Sequence, residues 1–139
     1  MNKLYPLFIR ISGKACLIAG GGAVAHRKAE GMLECGASVC IVSPALTEGL
    51  EKRAQENSIR WKRRKFTEDD LNGMFLVCAA TDDHEENRRI AEACNRHNIP
   101  VNCIDEPALC DFHVPSVLRR KELTVAVSTG GGSPLFAKK

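Results

Sequence analysis

The sequence predicts an α/β fold: a Rossmann-like, doubly wound parallel sheet followed by the start of a β-containing dimerisation arm. Three observations predict it. Short apolar runs of strand length alternate with longer segments of helical periodicity, the rhythm of βα units. The loop Gly20-Gly21-Gly22-Ala23-Val24-Ala25 fits G-x-G-x-x-A and stands directly between the first such run and the first helical segment. The 139 residues, 44% apolar and 27% charged, are enough for one globular domain. A chain of that size buries roughly two-thirds of its unfolded surface.

Taken in order, residues 15–19 are expected as the first strand and 23–35 as the first helix, stopped by Gly36. Residues 38–42 give the second strand, 46–57 the second helix, and 59–61 a short edge strand. Thr67-Glu68-Asp69-Asp70 has the cap and acidic first turn of a brief helix. Residues 75–79 form another buried strand, 83–97 a long polar-faced helix, and 99–104 the strand that closes the repeat. After Asp105 the rhythm changes. Residues 123–128 make one more strand, followed by Gly130-Gly131-Gly132 and then Ser133-Pro134, a good helix start. Only five residues follow that proline, so the chain is expected to be cut as an element begins. The expected division is a dinucleotide-binding domain over 1–113 and an incomplete dimerisation or substrate segment over 114–139.

Composition excludes several classes. The net charge of +3 is too small an excess for nucleic-acid binding. The run Arg60-Trp61-Lys62-Arg63-Arg64-Lys65 reads instead as a strand edge protected by charge. No apolar run approaches the roughly 20 residues of a membrane span, and residues 1–8 hold no signal peptide. Seven cysteines without a Cys-x-x-Cys pair point to reduced thiols and a cytoplasmic location. Cys16, Cys40, Cys78 and Cys103 fall inside strands, where cysteine acts as a small buried hydrophobe. Cys110 and His113 have Cys-x-x-His spacing, but two ligands do not make a zinc site. No metal is expected.

In the glycine loop, Gly20 permits the tight turn and Gly22 lets the backbone approach a pyrophosphate. Ala25 allows close helix–sheet packing, and the helix N-terminus supplies the anion site. The carboxylate that usually ends the second strand to hold the ribose is missing; the place reads Val42-Ser43-Pro44-Ala45. Ser43 can hydrogen-bond a ribose but cannot repel a 2′-phosphate, so spacing leaves NAD and NADP open. Arg27 and Lys28, early in the helix, either face solvent or meet a carboxylate or phosphate. Ligands bind beyond the carboxyl ends of strands in such sheets. Thr81-Asp82-Asp83 and Asp105 both lie there. Asp105 is either a base beside a nicotinamide or a turn residue ahead of Pro107; Asp82 or Asp83 can simply cap the next helix.

Together these residues resemble the precorrin-2 dehydrogenase module of sirohaem synthases. The resemblance runs from Tyr5-Pro6-Leu7-Phe8 through Gly20-Gly21-Gly22-Ala23-Val24-Ala25-His26-Arg27-Lys28 and Ala79-Ala80-Thr81-Asp82-Asp83. It continues in Val101-Asn102-Cys103-Ile104-Asp105, in Cys110-Asp111-Phe112 with Pro115, and in Val125-Ala126-Val127-Ser128-Thr129-Gly130-Gly131-Gly132-Ser133-Pro134. It implies an oxidoreductase that uses NAD to oxidise the tetrapyrrole precorrin-2 to sirohydrochlorin in sirohaem (porphyrin) biosynthesis. Some members also insert ferrous iron, which makes ferrochelatase activity a further expectation for a full-length protein. The resemblance places the catalytic aspartate at Asp105 and cofactor contacts at Ala23, Val24, Pro44, Ala45, Thr81 and Asp82. It also implies a homodimer formed through the segment after Asp105, and a C-terminal helical part beyond this chain. The alternative is a non-catalytic module that senses NAD(H) with the same loop; it needs neither Asp105 nor the segment from Cys110 to Pro134.

Overall fold

The computed structural model describes residues 3–129, so Gly130-Gly131-Gly132 and the helix start at Ser133-Pro134 lie outside the described residues. The chain runs β1 (Ala15–Ala19), α1 (Ala23–Glu34), β2 (Ser38–Val42), α2 (Glu48–Gln55) and β3 (Arg60–Lys62). It continues through β4 (Leu76–Ala79), α3 (His84–Arg96) and β5 (Val101–Cys103). These strands form one parallel five-stranded sheet in the order β3-β2-β1-β4-β5. The chain winds outward from β1 in one direction and resumes on its other side at β4. The crevice where that reversal occurs is the usual ligand site of an open parallel sheet.

Successive side chains on a strand point to opposite faces, and here both faces are covered. Cys16 and Ile18 of β1, Val39 and Ile41 of β2 and Cys78 of β4 pack with Ala25, Ala29 and Met32 of α1. Leu17, Val42, Val77 and Val101 pack on the other face with Ile90, Ala91 and Cys94 of α3. Two cores require strands that are apolar throughout, which is why β1, β2 and β4 show no polar alternation. Cys16, Cys40, Cys78 and Cys103 are buried in these layers. Burial pushes the Cys78 thiol up to about 12, so it stays protonated and unreactive.

The second helix is shorter than the expected 46–57. The Thr47 hydroxyl accepts the Leu50 N–H and caps α2, while the Thr47 N–H donates to Gly21 O at 2.8 Å. That second bond draws the preceding residues out of the helix and onto the glycine loop. The brief helix after Thr67 is a 3-10 turn, Glu68–Leu71, closed by a reciprocal cap between Thr67 and Asp70. Asp70 is buried and accepts from Lys62 and Arg64. The basic run therefore supplies edge strand β3 and clamps an acid.

The strand expected at 123–128 is β7 (Leu123–Val127), and it is not solitary. It pairs antiparallel with β6 (Ser116–Arg120) across a turn at Lys121, where φ is 56°. Ser-Val-Leu-Arg-Arg does not alternate, and Lys121-Glu122 is not a customary hairpin dipeptide, so β6 left no local signal. The hairpin forms a separate sheet. Leu118, Leu123, Val125 and Val127 on it are exposed. No helix among the described residues is long and apolar enough to cross a membrane.

Candidate active site

The glycine loop joins β1 to α1 at the reversal of strand order. Gly20 has φ 126°, donates its N–H to Val42 O at 3.0 Å, and lies so close to β4 that a Cβ would strike the Ala80 carbonyl. A Cβ on Gly21 would strike the Ala45 carbonyl and the Ser43 hydroxyl. The chain's own packing therefore demands both glycines. Gly22 is different. Its backbone is ordinary extended chain, φ −90° and ψ −162°, and a Cβ there would meet nothing within 4 Å. The space above it opens at the start of α1, which has no side-chain cap and no acid in its first turn. By contrast, Thr47 caps α2 and Asp83 caps α3. First-turn N–H groups without intrahelical partners, beside an open cradle, suit an anion approaching closely, as a pyrophosphate does. Ala23 and Val24 open the helix, and Ala25 is fully buried against the sheet as expected.

The turn after β2 forms one wall. The Ser43 hydroxyl, expected to reach a ribose, donates instead to Ala45 O at 2.7 Å, and Trp61 Nε1 donates to Ser43 O at 2.9 Å. Ser43 is buried and braces the turn, because a short hydroxyl two residues before a carbonyl closes locally. Pro44 and Ala45 are exposed at the mouth. Among the described residues, Arg27 and Lys28 make no ion pair.

The opposite wall follows β4 and β5. Asp83 caps α3, accepting the N–H groups of Glu85 and Glu86 at 3.0 and 3.3 Å, while Asp82 is exposed. The Thr81 N–H donates to Asn87 Oδ1 at 3.0 Å, and the Thr81 hydroxyl lies 2.7 Å from the same oxygen. Asn87 Nδ2 then donates to Thr81 O and to Asp105 Oδ2, both at 3.0 Å. His84 Nδ1 lies 2.7 Å from Asp105 Oδ2, and Cys103 Sγ lies 3.4 Å from Oδ1. A continuous chain of contacts thus runs from Gly20 through Ala80 and Thr81 to Asn87 and Asp105.

Sequence reasoning singled out Thr81 and Asp105 but missed Asn87, which joins them, and His84. A signal for Asn87 existed. It falls on the stripe that continues through Ile90, Ala91 and Cys94, all buried, and a polar residue on a buried stripe needs a partner. Cys110 is engaged by the backbone of β5: the Cys103 N–H donates to its sulfur at 3.1 Å, and the sulfur lies 3.1 Å from Cys103 O.

The NAD(P)-binding family model matches residues 7–116. A siroheme synthase of Thioalkalivibrio sulfidiphilus is 43% identical over 134 residues, covering 96% of this chain and 27% of that protein. A siroheme synthase of Methylobacillus flagellatus is 44% identical over 133 residues, covering 96% and 28%. Among solved structures, SirC, a precorrin-2 dehydrogenase, matches with a TM-score of 0.82 at 28% identity, covering 96% of this chain and 66% of that one. The chain spans less than a third of the length of these two synthases.

Proposed function

The chain belongs to the NAD(P)-binding family, and from that premise we propose that it binds NAD and serves the oxidation of precorrin-2 to sirohydrochlorin. One observation carries the reading: the open cradle at Gly22 and the carboxylate of Asp105 belong to a single braced edge of the sheet. The names of its relatives, siroheme synthases and a precorrin-2 dehydrogenase, supply the substrate. Gly20, Gly22, Ala23 and Val24 would hold the pyrophosphate. Pro44 and Ala45, in the turn braced by Ser43, border the adenosine side; Thr81 and Asp82 border the nicotinamide side. Residues 1–113 would form the dinucleotide-binding part and 114–139 an incomplete dimerisation or substrate segment. The seven free thiols agree with a reducing, cytoplasmic setting.

The oxidation removes two hydrogens from the tetrapyrrole, and bound NAD supplies the acceptor for the one that leaves as hydride. The other leaves as a proton, and Asp105 is the base that takes it. Its carboxylate is held by Asn87 and His84 at an edge position that remains accessible, with its side chain 20% exposed.

A Cβ at Gly22 meets nothing within 4 Å among the described residues, so Gly22→Val is expected to fill the cradle while the fold is kept. NAD affinity measured by calorimetry should fall by about tenfold or more, equivalent to about 1.4 kcal/mol. Unchanged affinity would remove the pyrophosphate from this loop.

An isolated two-stranded hairpin is marginal in water, and β6–β7 exposes Leu118, Leu123, Val125 and Val127. A second copy would cover this stripe and the open strand edges. Sedimentation at micromolar concentration should report a dimer. A monomer there would overturn the pairing.

A further inference from the structure

A single side-chain amide stands between the loop after β4 and the carboxylate after β5. Asn87 is the fourth residue of α3 and is fully buried. Its Oδ1 accepts the Thr81 N–H at 3.0 Å and the Thr81 hydroxyl at 2.7 Å. Its Nδ2 donates to the Thr81 carbonyl and to Asp105 Oδ2, both at 3.0 Å. A backbone N–H can only donate and a backbone carbonyl only accept, so Thr81 leaves this amide one orientation. Oδ1 faces the N–H, Nδ2 faces the carbonyl, and the second Nδ2 hydrogen is the one that meets Asp105. The helix keeps the amide in place. Ile90, Ala91 and Cys94 pack the same stripe of α3 into the core, and the Asn87 N–H donates to Asp83 O at 3.0 Å.

We propose that Asn87 is a positioning residue: it fixes the Asp105 carboxylate relative to Thr81, so that the base and the loop bordering the nicotinamide side keep one spacing. This rests on the function proposed above. Hydride and proton leave the same substrate toward two different acceptors, so catalysis depends on the distance between those acceptors. The sheet itself does not hold that distance. The backbone bond from the Ile104 N–H to Ala79 O, at 3.2 Å, ties the two strand ends together just short of Thr81 and Asp105. Beyond it the hydrogen bonds of Asn87 carry the connection onward, from both backbone groups of Thr81 to the carboxylate. Asn87 exchanges no proton in this role; it holds the carboxylate that does.

In the native gene product, with precorrin-2 and saturating NAD, Asn87→Ser should lower kcat by about 10- to 100-fold, the range for one lost hydrogen bond to a charged group. A residue that serves only the fold would cost the same factor whether or not Asp105 is present. A positioning residue acts through Asp105, so in the Asp105→Ala background Asn87→Ser should lower the remaining kcat by less than about twofold. Wild-type kcat in the single variant, or an equal factor in both backgrounds, would overturn the proposal. A second measurement needs neither turnover nor a folded Asn87 variant. In the ¹⁵N–¹H spectrum of labelled protein, Asp105→Ala should move one Asn87 Nδ2 proton upfield and leave the proton facing Thr81 O near its place. An amide with both protons unmoved would overturn the bridge. If the native protein forms no NADH with precorrin-2, the function proposed above falls; whether Asn87 bridges Thr81 and Asp105 is then decided by the spectrum alone.

Discussion

Replacing Asp105 with alanine is expected to lower NADH formation from precorrin-2 by about 10²- to 10⁴-fold, the span a positioned general base contributes, while leaving NAD affinity within about twofold. In the proposed reading the carboxylate serves the substrate side of the crevice, and the pyrophosphate lies at Gly22 and the uncapped first turn of α1. The fold should tolerate the change, because Asn87 keeps its bonds to both the N–H and the carbonyl of Thr81. Calorimetry with NAD and steady-state kinetics with precorrin-2 on the same preparation separate the two effects. Turnover at the wild-type rate would remove Asp105 from the mechanism. A parallel loss of NAD affinity would instead assign Asp105 to the cofactor.

The largest stability effect is expected at Asp70. Burial raises the affinity of this carboxyl for its proton, but hydrogen bonds from Arg64, the Thr67 N–H and Lys62 outweigh that and hold it well below the usual carboxylate range. The Arg64 and Lys62 side chains are themselves partly exposed, and Arg64 Nη2 approaches to 2.6 Å. Asp70→Ala should destabilise the chain by about 2–3 kcal/mol, allowing for solvent screening of the two cations. The sign of the pH dependence follows from the depressed value. The stabilisation is complete above the unfolded aspartate value of about pH 4 and is lost as pH falls below it toward the folded value. Urea midpoints of wild type and Asp70→Ala should therefore differ more at about pH 7 than at about pH 3. A gap of equal size at both would mean that Asp70 acts through packing and not through its charge.

Much of this molecule was legible along the chain because its signals are local. Strands β1, β2 and β4 are unbroken apolar runs, as burial on both faces demands, and each is read without knowing its neighbour. The glycine loop announces itself by spacing, and Asp83 and Thr67 by standing just ahead of helical turns. Local chemistry also placed Thr81 and Asp105 beyond the ends of their strands. The same local view could not tell the three loop glycines apart. Gly20 and Gly21 are fixed by Ala80 and by the turn at Ser43 to Ala45, both distant in sequence, while a Cβ at Gly22 would meet nothing within 4 Å among the described residues. Nor could it foresee that Ser43 turns inward, that Asn87 joins Thr81 to Asp105, or that His84 reaches the same oxygen. Strand β6 and the clamp on Asp70 escaped for the same reason. Periodicity and turn chemistry are properties of neighbours along the chain, so the sequence alone determined the elements of the parallel sheet and the loops beyond its carboxyl edge. Hydrogen bonds and steric contacts between segments exist only once the sheet has brought those segments together, so the tertiary structure alone decided which side chains brace the site and which atoms remain open to a ligand.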